Sequence, residues 1–496
     1  MRFARRWLSQ CGSHPRHRDD YGTRCWSCIS CCLSSDSPQS LGVPTMGRLR
    51  LRLAICGTGL GGLVAAHCLA QYPDIDATVY EGASCLKEVD AGIGFWPRPR
   101  EILKPLGLEE ELMERSCAEA GKEEDTKFIC RRQLRVHRAD FHTVLVAHIR
   151  KLGRENVVCS KRLSSYSDAS SSFDAPSPIF YGFSSSCIAS YGTVATCDVL
   201  VGADGLKSRV RVGMMERLVS EATRQAAGPA GAEGEAETEA LAAAAQPVWS
   251  GFVAYRVLIS ADKLRGRAPE HSLLSNPMLY FGKNACIVGY SIQNGACLDV
   301  IFFTFDSAQE HDVHPGEWMR KAAKAEFAGA FEGWEPEVQA MLNCVDGALR
   351  WAVHTTKPPG LPTFVHGRTA LLGDAAHSMT PFQGSGAGQA VEDAWLLAHL
   401  LGDPAVTRET IPEALRVYDA ARRHVAQDVQ ERSRVNGHLL ALNYRGIDFD
   451  ALQGEAQRAA LIELGEQMQR DWEWAWSTST DGMVHDSLKT LRKAVL

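Results

Sequence analysis

Apolar and polar positions change period several times along this chain. Leu51–Cys56 reads LRLAIC, a short apolar run that predicts a buried strand, and apolar residues then recur at helical spacing over Leu60–Leu69. Thr78-Val79-Tyr80 predicts a second strand, ending at Glu81. A short helix is expected over Arg100–Leu106 and a longer one after HRADF, within His137–Gly153. Ser164–Ser190 carries short β-like pieces, and Asp198–Asp204 reads DVLVGAD, a further buried strand followed by Gly205 and a helix start through Ser208, Arg209 and Arg211. From Trp249 the period becomes two. WSGFVAYRVLIS, MLYFG, ACIVGYSIQ and CLDVIFFTF predict four strands of one antiparallel sheet, which needs a helix-covered face to be stable. Trp351–Leu372 leads back to the first lobe through Pro358-Pro359. Helical spacing returns in AVEDAWLLAHLL, then over Pro412–Asn436 and Leu452–Trp474.

This order predicts an α/β fold with an inserted antiparallel β-sheet. Residues 1–46 do not share the pattern. They are Arg- and Ser-rich, resemble a transit peptide only loosely, and read as a disordered or mispredicted extension with Met46 as the natural first residue. Cys25, Cys28, Cys31 and Cys32 have CxxC spacing there, but no second ligand pair follows at zinc-site distance, so no metal is expected. Gly228–Gln246 is Ala/Gly/Glu-rich and reads as a flexible linker or mobile loop.

With 496 residues, 45% hydrophobic and 23% charged, the chain can bury a large core and is expected to form two lobes. A net charge of −6 gives no reason to expect nucleic acid as a partner. No apolar run approaches the roughly 20 residues that span a bilayer. The sixteen cysteines are scattered, which suits reduced thiols and a cytoplasmic location.

Two glycine-rich stretches carry the chemistry. Gly57, Gly59 and Gly62 have GxGxxG spacing between a strand and a helix, and Glu81 follows about 20 positions on, at the end of the next strand. Glycines there allow a tight turn and close approach of a pyrophosphate to a helix N-terminus, and the acid is placed to hold a ribose diol. A terminal Glu suits a ribose without a 2′-phosphate, so this site should take FAD or NAD rather than NADP. The second stretch, Leu371–Gln389, reads LLGDAAHSMTPFQGSGAGQ: an apolar run ends at Gly373-Asp374, and Gly384, Gly386 and Gly388 open a helix whose N-terminus would face something electron-rich. An ordinary strand-loop-helix connection would read the same way. Arg138, at a helix start where a cation is unfavourable, is either a surface charge or has a specific partner. Arg256, inside a strand, either faces water or meets an anion, and Tyr290 stands in the same sheet.

Taken in order, the fingerprint, HRADF, VLVGADG and GDAAHSMTPFQGSGAG resemble the group A flavin monooxygenases, in their salicylate-hydroxylase-like branch, over about residues 48–440. The resemblance implies a Rossmann-like FAD-binding domain in two parts (47–215 and 351–402), an inserted β-sheet substrate domain (248–350) after a linker (216–247), and C-terminal helices (403–496). It makes Glu81 the ribose ligand and Gly57, Gly59 and Gly62 the pyrophosphate turn. It brings the loop around Gly92 and Gly94 to the flavin, Arg138 to the cofactor, and Asp204-Gly205 to both FAD and the nicotinamide donor. Asp374 would hold the ribityl chain, with Ala387 beside the ring. Fungal members of secondary metabolism use an arginine and a tyrosine on the substrate sheet, which points to Arg256 and Tyr290 as catalytic. Their tyrosine often stands in H-Y-P, whereas this chain has Gly289-Tyr290-Ser291, and its Gly107–His137 segment is shorter than in relatives.

The expected reaction is hydroxylation of a phenolic ring through a flavin hydroperoxide, with NADH or NADPH as reductant and dioxygen as co-substrate. Arg256 would stabilise the phenolate, and Tyr290 would orient the ring or mediate its proton transfer. The alternatives are an epoxidase acting on a prenylated or polyene substrate and a non-catalytic flavin-binding protein. A flavin halogenase is disfavoured, because Trp472, Trp474 and Trp476 lie near the C-terminus without the W-x-W-x-I-P motif.

Overall fold

The computed structural model describes residues 49–86, 92–116, 133–153, 156–168, 179–184, 193–225, 232–292, 295–444 and 446–495. The N-terminal extension with its CxxC cysteines, and most of the short segment between Gly107 and His137, lie outside the described residues.

The first sheet has the strand order Val365–His366, Thr369–Leu371, Val199–Gly202, Leu51–Cys56, Ile75–Tyr80, Val157–Val158. All its pairings are parallel except the first. The two central strands are almost wholly buried, as apolar runs covered on both faces must be. From Leu51–Cys56 the chain pairs next on one side with Ile75–Tyr80 and later on the other with Val199–Gly202. The crevice between those two directions is the topological switch point of an open α/β sheet, where ligands bind.

The second sheet is antiparallel, and the four expected strands are joined at one side by Gly347–Thr356 and Met319–Ala323. Gly347–Thr356 carries the sheet past the boundary expected at residue 350. Alternation sorts its side chains onto two faces. One face, with Tyr255, Ile287, Val300 and Phe302, packs under the short helices of its own lobe. The other, with Ala254, Cys286 and Phe303, packs against Trp96, Phe382 and Trp472 from the rest of the chain. Both faces are therefore buried, and the second closes the gap between the lobes.

Three local expectations change. The Ala/Glu-rich stretch read as a flexible linker contains a helix over Ala232–Ala244, following the helix Arg209–Gln225. Alanine and glutamate are among the strongest helix formers, so low complexity there meant helix propensity rather than disorder. Gly92–Phe95, read as a loop, is a strand paired antiparallel with Leu134–His137. The last helices run further than expected, over Ile411–Leu440, Gly454–Ser477 and Met483–Val495.

Beneath the second glycine-rich stretch lies a buried ionic cluster. Helix Gly386–Gly402 carries Glu392 and Asp393, both with no exposed surface. Arg422, equally buried, donates to Asp393 Oδ1 at 2.8 Å and to Glu392 Oε2 at 2.7 Å. Arg98 donates to Glu392 at 3.0 Å, and Asp393 Oδ2 meets His377 Nε2 at 2.5 Å and accepts the Gly373 N–H at 3.0 Å. Burial works to raise the Asp393 carboxyl, but the His377 and Arg422 charges and these hydrogen bonds overcome it and bring it down to about 2. A carboxyl depressed in the folded state contributes its full stability above its ordinary range and loses it as pH falls through the folded value. Asp393→Asn should therefore cost about 3–5 kcal/mol at pH 7, as removal of one partner from a buried pair does. Denaturant unfolding should show the gap between variant and wild type narrowing as the pH is lowered from 4 towards 2.

Candidate active site

Gly57, Glu81, Asp204 and Asp374 each lie just beyond the C-terminal end of a parallel strand, and those strands are neighbours. Cys56 is in register with both Tyr80 and Gly202, and Gly202 with Leu371. Residues up to 317 positions apart in the sequence are thus gathered at one sheet edge by strand pairing alone.

The three glycines of the fingerprint have separate tasks. Gly57 has φ +107°, and a Cβ there would lie 2.3 Å from the Ala203 carbonyl oxygen, so the turn excludes other residues. A Cβ at Gly62 would lie 2.0 Å from the Gly57 carbonyl oxygen, so this glycine lets the helix pack onto the turn. Gly59 differs. Its φ of −59° suits any residue, and a Cβ there would meet nothing within 4 Å. Its face opens onto the N-terminus of helix Leu60–Leu69, which is the cradle a pyrophosphate fills. This division fits a dinucleotide.

Glu81 stands beside that cradle, directly after strand Ile75–Tyr80. Its Oε2 accepts from the Thr58 N–H at 3.0 Å and from Thr58 Oγ1 at 2.5 Å, and its Oε1 accepts from the Ala83 N–H at 2.8 Å. Burial acts to raise this carboxyl, but the Thr58 and Ala83 hydrogen bonds outweigh it and hold it below its ordinary value. It is therefore an anion at neutral pH. Arg138 is the first residue of helix Arg138–Lys151, and the charges of both Arg138 and Glu81 act on His142 one turn along. Arg138 and Glu81 thus both lie near His142.

Asp204 has an evident local task. Its carboxylate accepts from Ser208 Oγ at 2.5 Å and from the Arg209 and Val210 N–H groups at 2.7 and 3.2 Å, which caps helix Arg209–Gln225. The neighbouring Arg211, read from the sequence only as part of a helix start, is 1% exposed and donates to the carbonyls of Leu206, Ala245 and Ala375. It ties the Asp204-Gly205 turn to the turn at Asp374. Asp374 itself is exposed at the mouth of the site, after Gly373 at φ +58°.

Gly94 and Gly384 are brought together by Gln133, and Gly92 is met by Tyr290. A Cβ at Gly94 would lie 2.1 Å from the Gln133 side-chain amide, and Gln133 Nε2 donates to the Gly384 carbonyl at 3.4 Å. The space over Gly94 is thus taken by Gln133. Gly384 has φ +58°, and Ala387 lies half-buried in the first turn of helix Gly386–Gly402.

Tyr290 reaches across to this strand, its hydroxyl 2.9 Å from where a Cβ of Gly92 would be. On its own sheet it pairs directly with Asp299 of the next strand, which the sequence analysis passed over. Tyr290 Oη donates to Asp299 Oδ2 at 3.0 Å. Arg256 Nε donates to Asp299 Oδ1 at 2.8 Å, and Arg256 Nη2 bonds Oδ2. Arg256 therefore meets an anion, and that anion is part of the chain. The Arg256 and Asp299 side chains are 10% and 0% exposed. Burial, then the Asp299 charge, push the Tyr290 hydroxyl well above its ordinary value, so it stays protonated across the physiological range.

Among the described residues no helix is long and apolar enough to cross a membrane. Residues 353–433, which include the Gly373–Gln389 stretch, match the FAD binding domain family. Over 456 residues the chain is 30% identical to a salicylate hydroxylase of Pseudomonas putida, covering 88% of this chain and 94% of that protein. It is 31% identical over 468 residues to the FAD-dependent monooxygenase str9 of Strobilurus tenacellus, covering 86% and 95%. Among solved structures, a salicylate hydroxylase substrate complex superposes with a TM-score of 0.68 at 26% identity, over 89% of this chain and 98% of that one. The glycine cradle fits a dinucleotide, the match is to an FAD-binding family, and the likeness to named monooxygenases runs almost end to end in both chains. This chain therefore belongs to the salicylate hydroxylase-like group A flavin monooxygenases and is an FAD-dependent aromatic monooxygenase.

Proposed function

We propose that the chain hydroxylates a phenol whose oxygen binds at Arg256 and Tyr290, on the face of the sheet turned towards the cofactor lobe. The observation that carries this is the buried Arg256–Asp299–Tyr290 cluster, which abuts Gly92 of strand Gly92–Phe95. In this reading Gly59 admits the FAD pyrophosphate, Glu81 accepts from the ribose hydroxyls, and Arg138 supports that end. Asp374 holds the ribityl chain, with Ala387 beside the ring and Gly94 reaching it once the Gln133 side chain swings aside. Asp204 acts on the cofactor indirectly, by fixing its turn. When bound and reduced by NADH or NADPH, FAD would supply the activation of dioxygen for oxygen transfer to the ring. The sheet from Pro247 to Thr356 forms the substrate lobe, and the scattered cysteines suit the cytoplasm.

The residues on the sheet prepare the substrate. A phenol reacts with electrophilic oxygen far better as phenolate. Tyr290 Oη accepts the phenol proton as it passes its own proton to Asp299 Oδ2. Tyr290 ends the step as it began, protonated, and Asp299 ends it as a neutral acid. Arg256 then exchanges one anion for another, carboxylate for phenolate, and the buried site keeps its net charge. Salicylate, the substrate named for the bacterial relative, is a phenol of this kind, and the first panel to try is salicylate with ring-substituted and carboxyl-free phenols.

Asp299→Asn removes the proton acceptor and keeps the size of the side chain. It should still bind FAD and oxidise NAD(P)H, but product formation at pH 7 should fall by roughly 10²–10⁴, the usual worth of a positioned acid or base. Raising the pH towards the substrate's own phenol pKa should restore it, and Tyr290→Phe should behave likewise. A variant with the wild-type pH profile would remove the relay. For the cofactor end, Gly59→Ala should leave the melting temperature of the apoprotein unchanged and weaken FAD at least about tenfold, since only the ligand's approach is blocked. Flavin fluorescence titration measures this.

A further inference from the structure

The Trp472-Glu473-Trp474-Ala475-Trp476 run has no part in the reading above. It lies in helix Gly454–Ser477, and the hydrogen bonds of that helix to the second glycine-rich stretch converge on Gln383. Gln383 is fully buried in the apolar layer between the lobes. Its backbone carbonyl accepts from Trp96 Nε1 at 2.9 Å, from Trp472 Nε1 at 3.2 Å and from Ser385 Oγ at 3.1 Å. Its backbone N–H donates to Ser433 Oγ at 3.2 Å. Its side chain is held as well: Oε1 accepts from Trp474 Nε1 at 3.2 Å, and Nε2 donates to the Asp471 carbonyl at 3.3 Å. Every polar atom of the residue has a partner, and three of the donors are indoles, which only donate and so fix the sense of each bond.

A leucine at this position would fasten the helix with less desolvation. A fully satisfied polar network in an apolar layer instead specifies one geometry. What that geometry sets is the next peptide. With the Gln383 carbonyl aimed at Trp96 and Trp472, the Gly384 N–H turns back onto the Pro381 carbonyl at 3.0 Å. Gly384 then takes φ +58°, and Ser385 leads into the first turn of helix Gly386–Gly402. We infer that helix Gly454–Ser477 is a positioning element of the flavin site: Trp472 and Trp474, with Trp96, lock Gln383 so that the amides of Gly386, Ala387 and Gly388 keep a single aim. The inference rests on the reading that these amides face the flavin ring.

The test uses the full chain and the variants Trp472→Phe and Trp474→Phe, which keep an aromatic ring and remove the N–H. Trp395→Phe, further along helix Gly386–Gly402 where the indole lies tilted against His399, is the control for loss of a tryptophan. Amide hydrogen exchange over residues 381–389 is measured on apoprotein and on FAD-loaded protein, together with the hydrogen peroxide released per NAD(P)H consumed. In the apoprotein each variant should exchange roughly threefold to tenfold faster in this segment, the worth of one hydrogen bond in a local opening. When loaded, each should release more peroxide at the same melting temperature, and the control should match wild type. Unchanged exchange over 381–389 in both variants, or a change that Trp395→Phe shares, overturns the clamp. If FAD gives residues 384–389 of the wild type no protection, the assignment of this loop to the flavin fails, whatever the variants do.

Discussion

Two adjacent carboxylates buried in one helix need cations, and the rest of the cofactor lobe is arranged to supply them. Glu392 and Asp393 sit side by side on Gly386–Gly402 with no access to water. Arg422 reaches both from the long helix, Arg98 reaches Glu392 from the segment after the Gly92–Phe95 strand, and His377 reaches Asp393 from the turn after the last parallel strand. Taking such ions out of water costs several kcal/mol each unless every contact is made. The cluster therefore tolerates one placement of three segments that are far apart in the chain. One of them, the Gly373–His377 turn, whose first N–H Asp393 also holds, borders the site, as does the start of the carboxylates' own helix after Gly384. The geometry at the sheet edge is set from below by this ionic layer, and Arg211, buried among carbonyls on the Asp204 side, completes it.

Much of this arrangement is legible in the chain before any coordinate. The period-two stretch from Trp249 marked the second sheet, and the order of glycines, strand and terminal acid marked the sheet edge. What escaped needed register. Asp299 stands in CLDVIFFTF as an isolated acid in an apolar strand, and a buried acid implies a partner. Only the pairing of Tyr290 with Asp299 shows that the partners are the same two residues picked out for chemistry. The tryptophans near the C-terminus escaped for a related reason: their contact lies about 90 residues back at Gln383, and no local pattern announces it. Gln133, which fills the space over Gly94, is hidden in the same way. Composition misled once, where the Ala- and Glu-rich segment was read as a linker and is helical over Ala232–Ala244. A motif can also serve a local end, since Asp204 caps its own helix with both carboxylate oxygens.

In the proposed relay, the second sheet solves a charge problem that the reaction would otherwise create. An aromatic hydroxylase needs a dry chamber, and a dry chamber penalises a lone guanidinium as severely as a lone phenolate. With Asp299 beside it, Arg256 is compensated before substrate arrives. A phenol that surrenders its proton through Tyr290 to Asp299 leaves one cation and one anion, as before. No stage holds an unpaired buried charge, so the driving force for water to enter stays low when the ring must meet activated oxygen. The same logic explains why Tyr290 keeps its proton at rest. A tyrosinate facing Asp299 would put two anions against one arginine, and both burial and the carboxylate charge oppose it. The cluster can move a proton only when a substrate brings one.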